Sequence, residues 1–347
     1  MAYTDIDKPS DYFNTVLYTG TGSELAITGV GFQPDWTWIK RRDAVAHGGM
    51  FDNVRGATKL LSSSQTDAEQ TIAQSLKSFD SDGFTLGTGT NGYVNTSGST
   101  TVAWNWLASN TTASNTDGSI TSTVSANTTS GFSIVTWTGS ASASNQTVGH
   151  GLGVAPSMVI LKNKSVVDNW FVYHSGATAN NQYLNLNSTS AVTTAGSNTW
   201  GAGMTSTLVG LRPGTFCGST SDNVIMYCFA EKKGFSKFGS YTGNGSTDGT
   251  FVYTGFKPAF VIQKNTSVAQ GWQLQDNKRL GYNPDNYLLQ PHTSQSESAL
   301  QRVDLLSNGF KVRTTDAGQN ASGNNYIYMA FAENPFVTST GIPATAR

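Results

Sequence analysis

Large apolar residues alternate with polar ones in short runs along the chain. Three of these runs close on the same beat: Val102/Trp104/Trp106, Ile225/Tyr227/Phe229 and Ile327/Met329/Phe331. Period-two alternation places side chains on opposite faces of a β-strand. Three other runs, GFQPDWTWIK, GVAPSMVILK and GFKPAFVIQK, each set a proline six residues ahead of a lysine: Pro34 and Lys40, Pro156 and Lys162, Pro258 and Lys264. Proline at a strand entry breaks no ladder bond. Each run follows an aromatic-rich strand that ends in aromatic-Thr-Gly, at Tyr18-Thr19-Gly20, Trp137-Thr138-Gly139 and Tyr241-Thr242-Gly243. From each lysine to the last aromatic of the closing run is 66, 67 and 67 residues, so the chain carries one unit of roughly a hundred residues three times over.

The pattern predicts an all-β protein of three tandem antiparallel β-sandwich domains, jelly-roll or lectin-like. The units span 1–108, 131–231 and 232–336, with a polar linker at 109–130 and an irregular C-terminal arm at 337–347. A strand is expected in the linker from Ile120 to Val124. Copies one and three add polar segments with helical spacing, TDAEQTIAQSLKSF and SQSESALQRVDLL, which predict short helices over one rim. Asp82-Gly83 and Asn308-Gly309 follow these segments as turn signals. Copy two lacks both features and is the divergent unit.

Composition supports this class. Roughly two fifths of the 347 residues are Gly, Ser, Thr or Asn, which compete with or weaken helical backbone. Only 12% are charged, and the formal net charge is -1. No basic surplus exists to neutralise a phosphate backbone, so nucleic acid is not an expected partner. No apolar run is long enough to span a bilayer and the start does not read as a secretory signal, so neither membrane insertion nor export is expected. Two cysteines, Cys217 and Cys228, do not make a disulfide framework, although a hairpin could bring them together; buried free thiols are the favoured reading.

Candidate chemistry is sparse. His47, His150, His174 and His292 recur at no common position and form no metal-type pair. Asp52 and Asp276, each followed by Asn, occupy matching places in copies one and three; they read as turn caps, with a calcium or sugar ligand pair as the functional alternative. One such carboxylate per unit does not supply the pair that glycoside hydrolysis needs. GTGTNG at 87–92 matches GxGxxG but leads into no helix, so it reads as a turn. The Asn-x-Ser/Thr triplets at Asn110, Asn127, Asn187 and Asn265 follow from composition. The tryptophans on strands read as core, while Trp170, Trp272 and above all Trp200, in the loop GSNTWGAG, are candidate sugar-stacking surface residues. No catalytic residue, metal or cofactor is assigned.

The motifs GFQPDWTWIK, FDNVRGATKLLSS, FDSDGFTLG, TTVAWNWLA, GFSKFGSYTGNGSTDG and YIYMAFAENPF with IPATAR resemble a family of tailed-phage virion structural proteins of tail-fibre or appendage type. The resemblance covers essentially the whole chain. It implies a non-enzymatic virion protein, assembled in the host bacterial cytoplasm. The implied partners are tail or capsid proteins, further copies of the chain in a homo-oligomer such as a trimer, and a host-surface glycan. Capsid decoration and a carbohydrate-binding adhesin are the alternatives. Copy two lacks the FDN and DGF motifs, so the resemblance does not carry a shared ligand site over to it.

Overall fold

The computed structural model describes residues 3–89, 94–140, 142–196, 198–214, 216, 218–279, 283 and 285–344. Part of the GxGxxG match and Cys217 lie outside them. The strands pair antiparallel, and each unit contributes one inner and one outer sheet. In copy one the inner sheet orders the opening strand Phe13–Thr19, the closing strand Thr100–Trp106, then Trp36–Arg41 and Gly49–Asp52. Copy two repeats that order with Phe132–Thr138, Asn223–Phe229, Met158–Asn163 and Trp170–His174. Copy three does so with Ser236–Thr242, Asn325–Pro335, Phe256–Asn265 and Gln273–Asp276.

Register is the same in all three. Trp36 pairs with Trp106, Met158 with Phe229 and Phe260 with Phe331, while Lys40, Lys162 and Lys264 pair with Val102, Ile225 and Ile327. The repeated Thr-Gly corner has a steric cause. A Cβ at Gly20, Gly139 or Gly243 would stand 2.2, 2.5 or 2.3 Å from the carbonyl oxygen of Thr96, Ser219 or Ala321, closer than any side chain allows.

Both faces of each inner sheet are buried. One face packs under the unit's own outer sheet: Ile39 and Phe51 meet Phe84 and Leu86, Val159 and Leu161 meet Val209 and Leu211, and Val261 meets Phe310 and Val312. The other face points to a single core shared by all three units, which joins Trp36, Trp38, Trp104 and Trp106 to Ile160, Tyr227 and Phe229 and to Phe260, Met329 and Phe331. Trp36 stacks on Trp106 at 4.3 Å and on Tyr227 of the next unit at 4.5 Å between ring centroids, and Phe13 stacks on Phe331 at 5.0 Å. The three inner sheets thus line a triangular prism around a pseudo-threefold axis, and Ile6 of the N-terminal arm joins the same core.

One expectation changes. The helical segments are strands: Gln70–Thr71 and Leu76–Asp80 in copy one, and Ser298–Leu306 in copy three. Val303 and Leu305, two apart, are buried against Phe310 and Val312, and that period-two burial overrides a weak helical preference. The described residues carry one short 3-10 turn, Pro9–Asp11. The strand expected in the linker is present as Ser122–Asn127, and with Ala113–Asn115 it extends the inner sheet of copy two. The C-terminal arm is tied back, with Ser339 hydrogen-bonded to Asp7.

Candidate functional site

Asp52 and Asp276 lie not at the surface but at the joints between units. Each ends an inner-sheet strand and is fully buried, with an arginine three residues on in its own chain. Arg55 closes on Asp52 through Nε, and its Nη2 donates to Met50 O at 2.9 Å. Across the joint, Tyr227 Oη of copy two donates to Asp52 Oδ2 at 2.8 Å. Arg279 repeats this: its Nε donates to Asp276 Oδ2 at 2.7 Å, its Nη2 to Leu274 O at 3.1 Å, and Trp104 Nε1 of copy one donates to the same Oδ2 at 3.0 Å. Burial works against both guanidinium charges, yet the adjoining Asp52, Tyr227 and Glu69, and Asp276 and Glu297, raise their pKa above the ordinary arginine value.

The third joint is built differently. His174 occupies the register position of Asp52 and Asp276, and Met329 that of Trp104 and Tyr227. His174 Nε2 donates to Tyr328 O at 3.0 Å and Nδ1 accepts from Gly176 N at 3.0 Å, so two backbone groups fix one neutral tautomer. Burial depresses its pKa to about 4.

The repeated lysines complete each joint. All three are buried, and each reaches a backbone carbonyl of a neighbouring unit: Lys40 Nζ to Thr293 O at 3.0 Å, Lys162 Nζ to Thr66 O at 2.9 Å, Lys264 Nζ to Thr189 O at 3.2 Å. Desolvation lowers each ammonium pKa to about 8. Backbone bonds follow the same cycle: Glu297 N to Arg42 O, Glu69 N to Lys164 O and Val192 N to Thr266 O. Ion pairs reinforce two joints, Arg42 on Glu297 at 2.9 Å and Lys164 on Glu69 at 3.8 Å.

The candidate tryptophans are buried too. Trp170 Nε1 donates to Ser62 O of copy one and Trp272 Nε1 to Asn185 O of copy two, which makes both of them joint residues. Trp200, expected at the surface, is fully buried in the core of copy two, where Nε1 donates to Gln182 O and the ring meets Tyr173 and Phe216. None of the five candidates presents a surface in this fold. Sequence reading passed over the joint residues Arg55, Arg279, Glu69 and Glu297, although Asp-x-x-Arg recurs in copies one and three and signals them. Cys228 is a buried free thiol, its pKa pushed up by burial.

The arrangement holds units together; its acids are committed to arginines and its lysines to backbone carbonyls. Among the described residues no cluster of His, Cys, Asp and Glu is gathered as a metal ion would need, and no helix is long and apolar enough to cross a membrane. A polar groove of about 410 Å³ lies between copies two and three, lined by Gly176, Ser240, Thr242, Thr266 and Asn325.

The class these features define is an all-β protein of fused antiparallel sheets around an internal pseudo-threefold core. The chain matches the domain of unknown function DUF7483 over residues 8–335, and it belongs to that family. The match runs through all three units, so the family's domain is the whole prism rather than one repeat. No curated protein matches the chain, and no solved structure does.

Proposed function

We propose that this is a non-enzymatic structural protein of a tailed-phage virion, a tail-fibre or tail-appendage subunit in first place and a capsid decoration protein in second. The observation that carries the reading is the closed three-unit cycle, in which buried acids, arginines and lysines hold sheets together instead of facing a cleft. Such a body is suited to presenting surface on a particle, and the motif resemblance supports the same reading. In this proposal the three sheet pairs are copies of one lectin-like or jelly-roll-type unit, the protein works at the virion after assembly in the host cytoplasm, and it joins tail or capsid proteins. The internal threefold supplies within one chain what a homotrimer supplies between chains. Mass spectrometry and immunogold labelling of purified particles test it: the protein is expected on the particle, and its absence there overturns the reading.

A glycan-contacting role is the second reading, on different residues from those first suspected. Phe251 and Tyr253 stand exposed side by side on the outer sheet of copy three, a placement open to a sugar face. A glycan array with the Phe251→Ala/Tyr253→Ala variant tests it, and binding unchanged by the substitutions rejects it.

A further inference from the structure

Four of the twelve large hydrophobic side chains that stand exposed among the described residues fall in three short loops: Val45, Val166, Val167 and Val268. These loops occupy one place in the repeat, four to five residues past Lys40, Lys162 and Lys264. Val45 and Val167 are each 71% exposed, and Val268 42%. The residue after each of the first two is pinned by the same backbone bond to a neighbouring unit, Ala46 N to Ser294 O and Asp168 N to Thr66 O.

Two physical points follow. First, the cyclic bonds through Arg42, Lys164 and Thr266 close after three steps, so equivalent loops share one height on the pseudo-threefold axis. The valines therefore form three apolar tips around one end of the prism. Second, the three units have diverged heavily, yet each keeps an exposed β-branched apolar residue at a loop tip, where Ser, Thr, Asn or Gly would cost nothing in a chain this rich in them. Copy two has lost the aspartate, the arginine and the Gly-Phe turn of its sisters, but not the valines.

We propose that this end docks, one chain at a time, onto a homotrimeric protein of the particle, the pseudo-threefold axis lying along the partner's threefold and each tip seated in one of three equivalent apolar pockets. This rests on the virion reading above and names its partner. The basic groups beside the tips are spent inside the chain, Arg42 on Glu297, Lys164 on Glu69 and Arg41 on Asp43, and Asp168 next to Val167 is a partly buried carboxylate, so the seat they match is apolar rather than phosphate-bearing. A second copy placed end to end would oppose protruding tip to protruding tip and bury little area, whereas three concave sites around a threefold take all three at once.

The test uses full-chain protein added to particles grown without it, followed by sedimentation and particle reconstruction. Wild type is expected to bind with one chain per partner trimer and density on its threefold. Val45→Asp, Val167→Asp and Val268→Asp are each expected to weaken binding by a similar factor, roughly tenfold, and the triple variant by more than about a hundredfold. The sites are exposed loops, and near-ultraviolet circular dichroism verifies each fold; a Val→Ser triple variant, carrying no charge, should lose binding as well. Triple-variant binding equal to wild type, density away from a threefold, or a tip-to-tip dimer in solution abolished by the triple variant each overturns the proposal and leaves the virion reading standing. Wild type that neither binds nor occurs on natural particles overturns both.

Discussion

Two of the three joints between units are centred on a buried aspartate-arginine pair, and the third has a neutral histidine in that place. At the joints of copy one with copy two and of copy three with copy one, a buried aspartate takes a hydrogen bond from the Tyr227 hydroxyl or the Trp104 indole and an ion pair from an arginine three residues on. At the joint of copy two with copy three, Met329 faces the same place and has no proton to give. A carboxylate at residue 174 would be buried short of a donor, which is costly. His174 instead stays neutral and donates to the Tyr328 carbonyl. Divergence in copy two and the donor in copy three therefore go together: changes at a joint are matched across it.

The largest test removes one ion. Arg55→Ala leaves Asp52 buried with only its tyrosine and backbone partners, an expected loss of about 3–5 kcal/mol in denaturant-monitored stability. His174→Gln, with no ion to orphan, should cost clearly less. Equal losses at the two joints would erase the distinction drawn between them.

Next comes pH. His174 and His292 have folded pKa values of about 4 against the ordinary 6.5, so below pH 6.5 the unfolded chain binds more protons. Their contribution is full above pH 6.5 and is lost as pH falls toward 4, on the order of 3 kcal/mol for each histidine. Asp35 acts oppositely, because burial lifts its pKa from 3.8 to about 6. The informative quantity is the difference between wild type and His174→Gln across this range by thermal melting. A difference that does not change with pH would show that the joint carries no titrating histidine. The lysines give an alkaline counterpart: with folded pKa values near 8 against 10.5, stability should rise as pH climbs between them.

A third test concerns packing. Trp170 sits opposite Lys162; the same place, one residue before the paired Gln273 and Gly49, is Trp272 in copy three and Gly48 in copy one, where Trp38 fills the space from the adjoining strand while its sisters have Ile160 and Ile262. A Cβ at Gly48 would stand 3.2 Å from Trp38 Nε1 and 2.6 Å from Ser63 Oγ. Trp38→Ile alone should cost about 2–4 kcal/mol by hollowing the core. Adding Gly48→Trp should recover part of it, and strict additivity in the double-mutant cycle would refute the exchange. The smallest expected effect is Tyr227→Phe, about 1 kcal/mol, since Asp52 keeps Arg55. A loss as large as that of Arg55→Ala would move the weight of the joint onto the tyrosine.

Much of this was legible in the residues themselves. The closing runs, the proline-to-lysine spacing and the Thr-Gly corners marked strands that the fold contains and pairs in one order three times. The joints were not legible, because Asp52 and Asp276 look alike whether they cap a turn in water or meet Tyr227 and Trp104 in a core. Only an unrelated stretch of chain, 172 or 175 residues distant, makes the difference. Trp200 misled for a similar reason: its flanking Ser, Asn and Gly describe a loop, and whether a loop is covered depends on Tyr173 and Phe216.

Local alternation and turn chemistry, written in neighbouring residues, determined that the chain is all-β with several antiparallel sheets. Which face of each sheet looks outward, whether Ser298–Leu306 is helix or strand, and where the tryptophans and aspartates lie were decided by tertiary structure. Each inner sheet has two apolar faces and only one outer sheet of its own, so the second face is buried only when three such sheets close on one another.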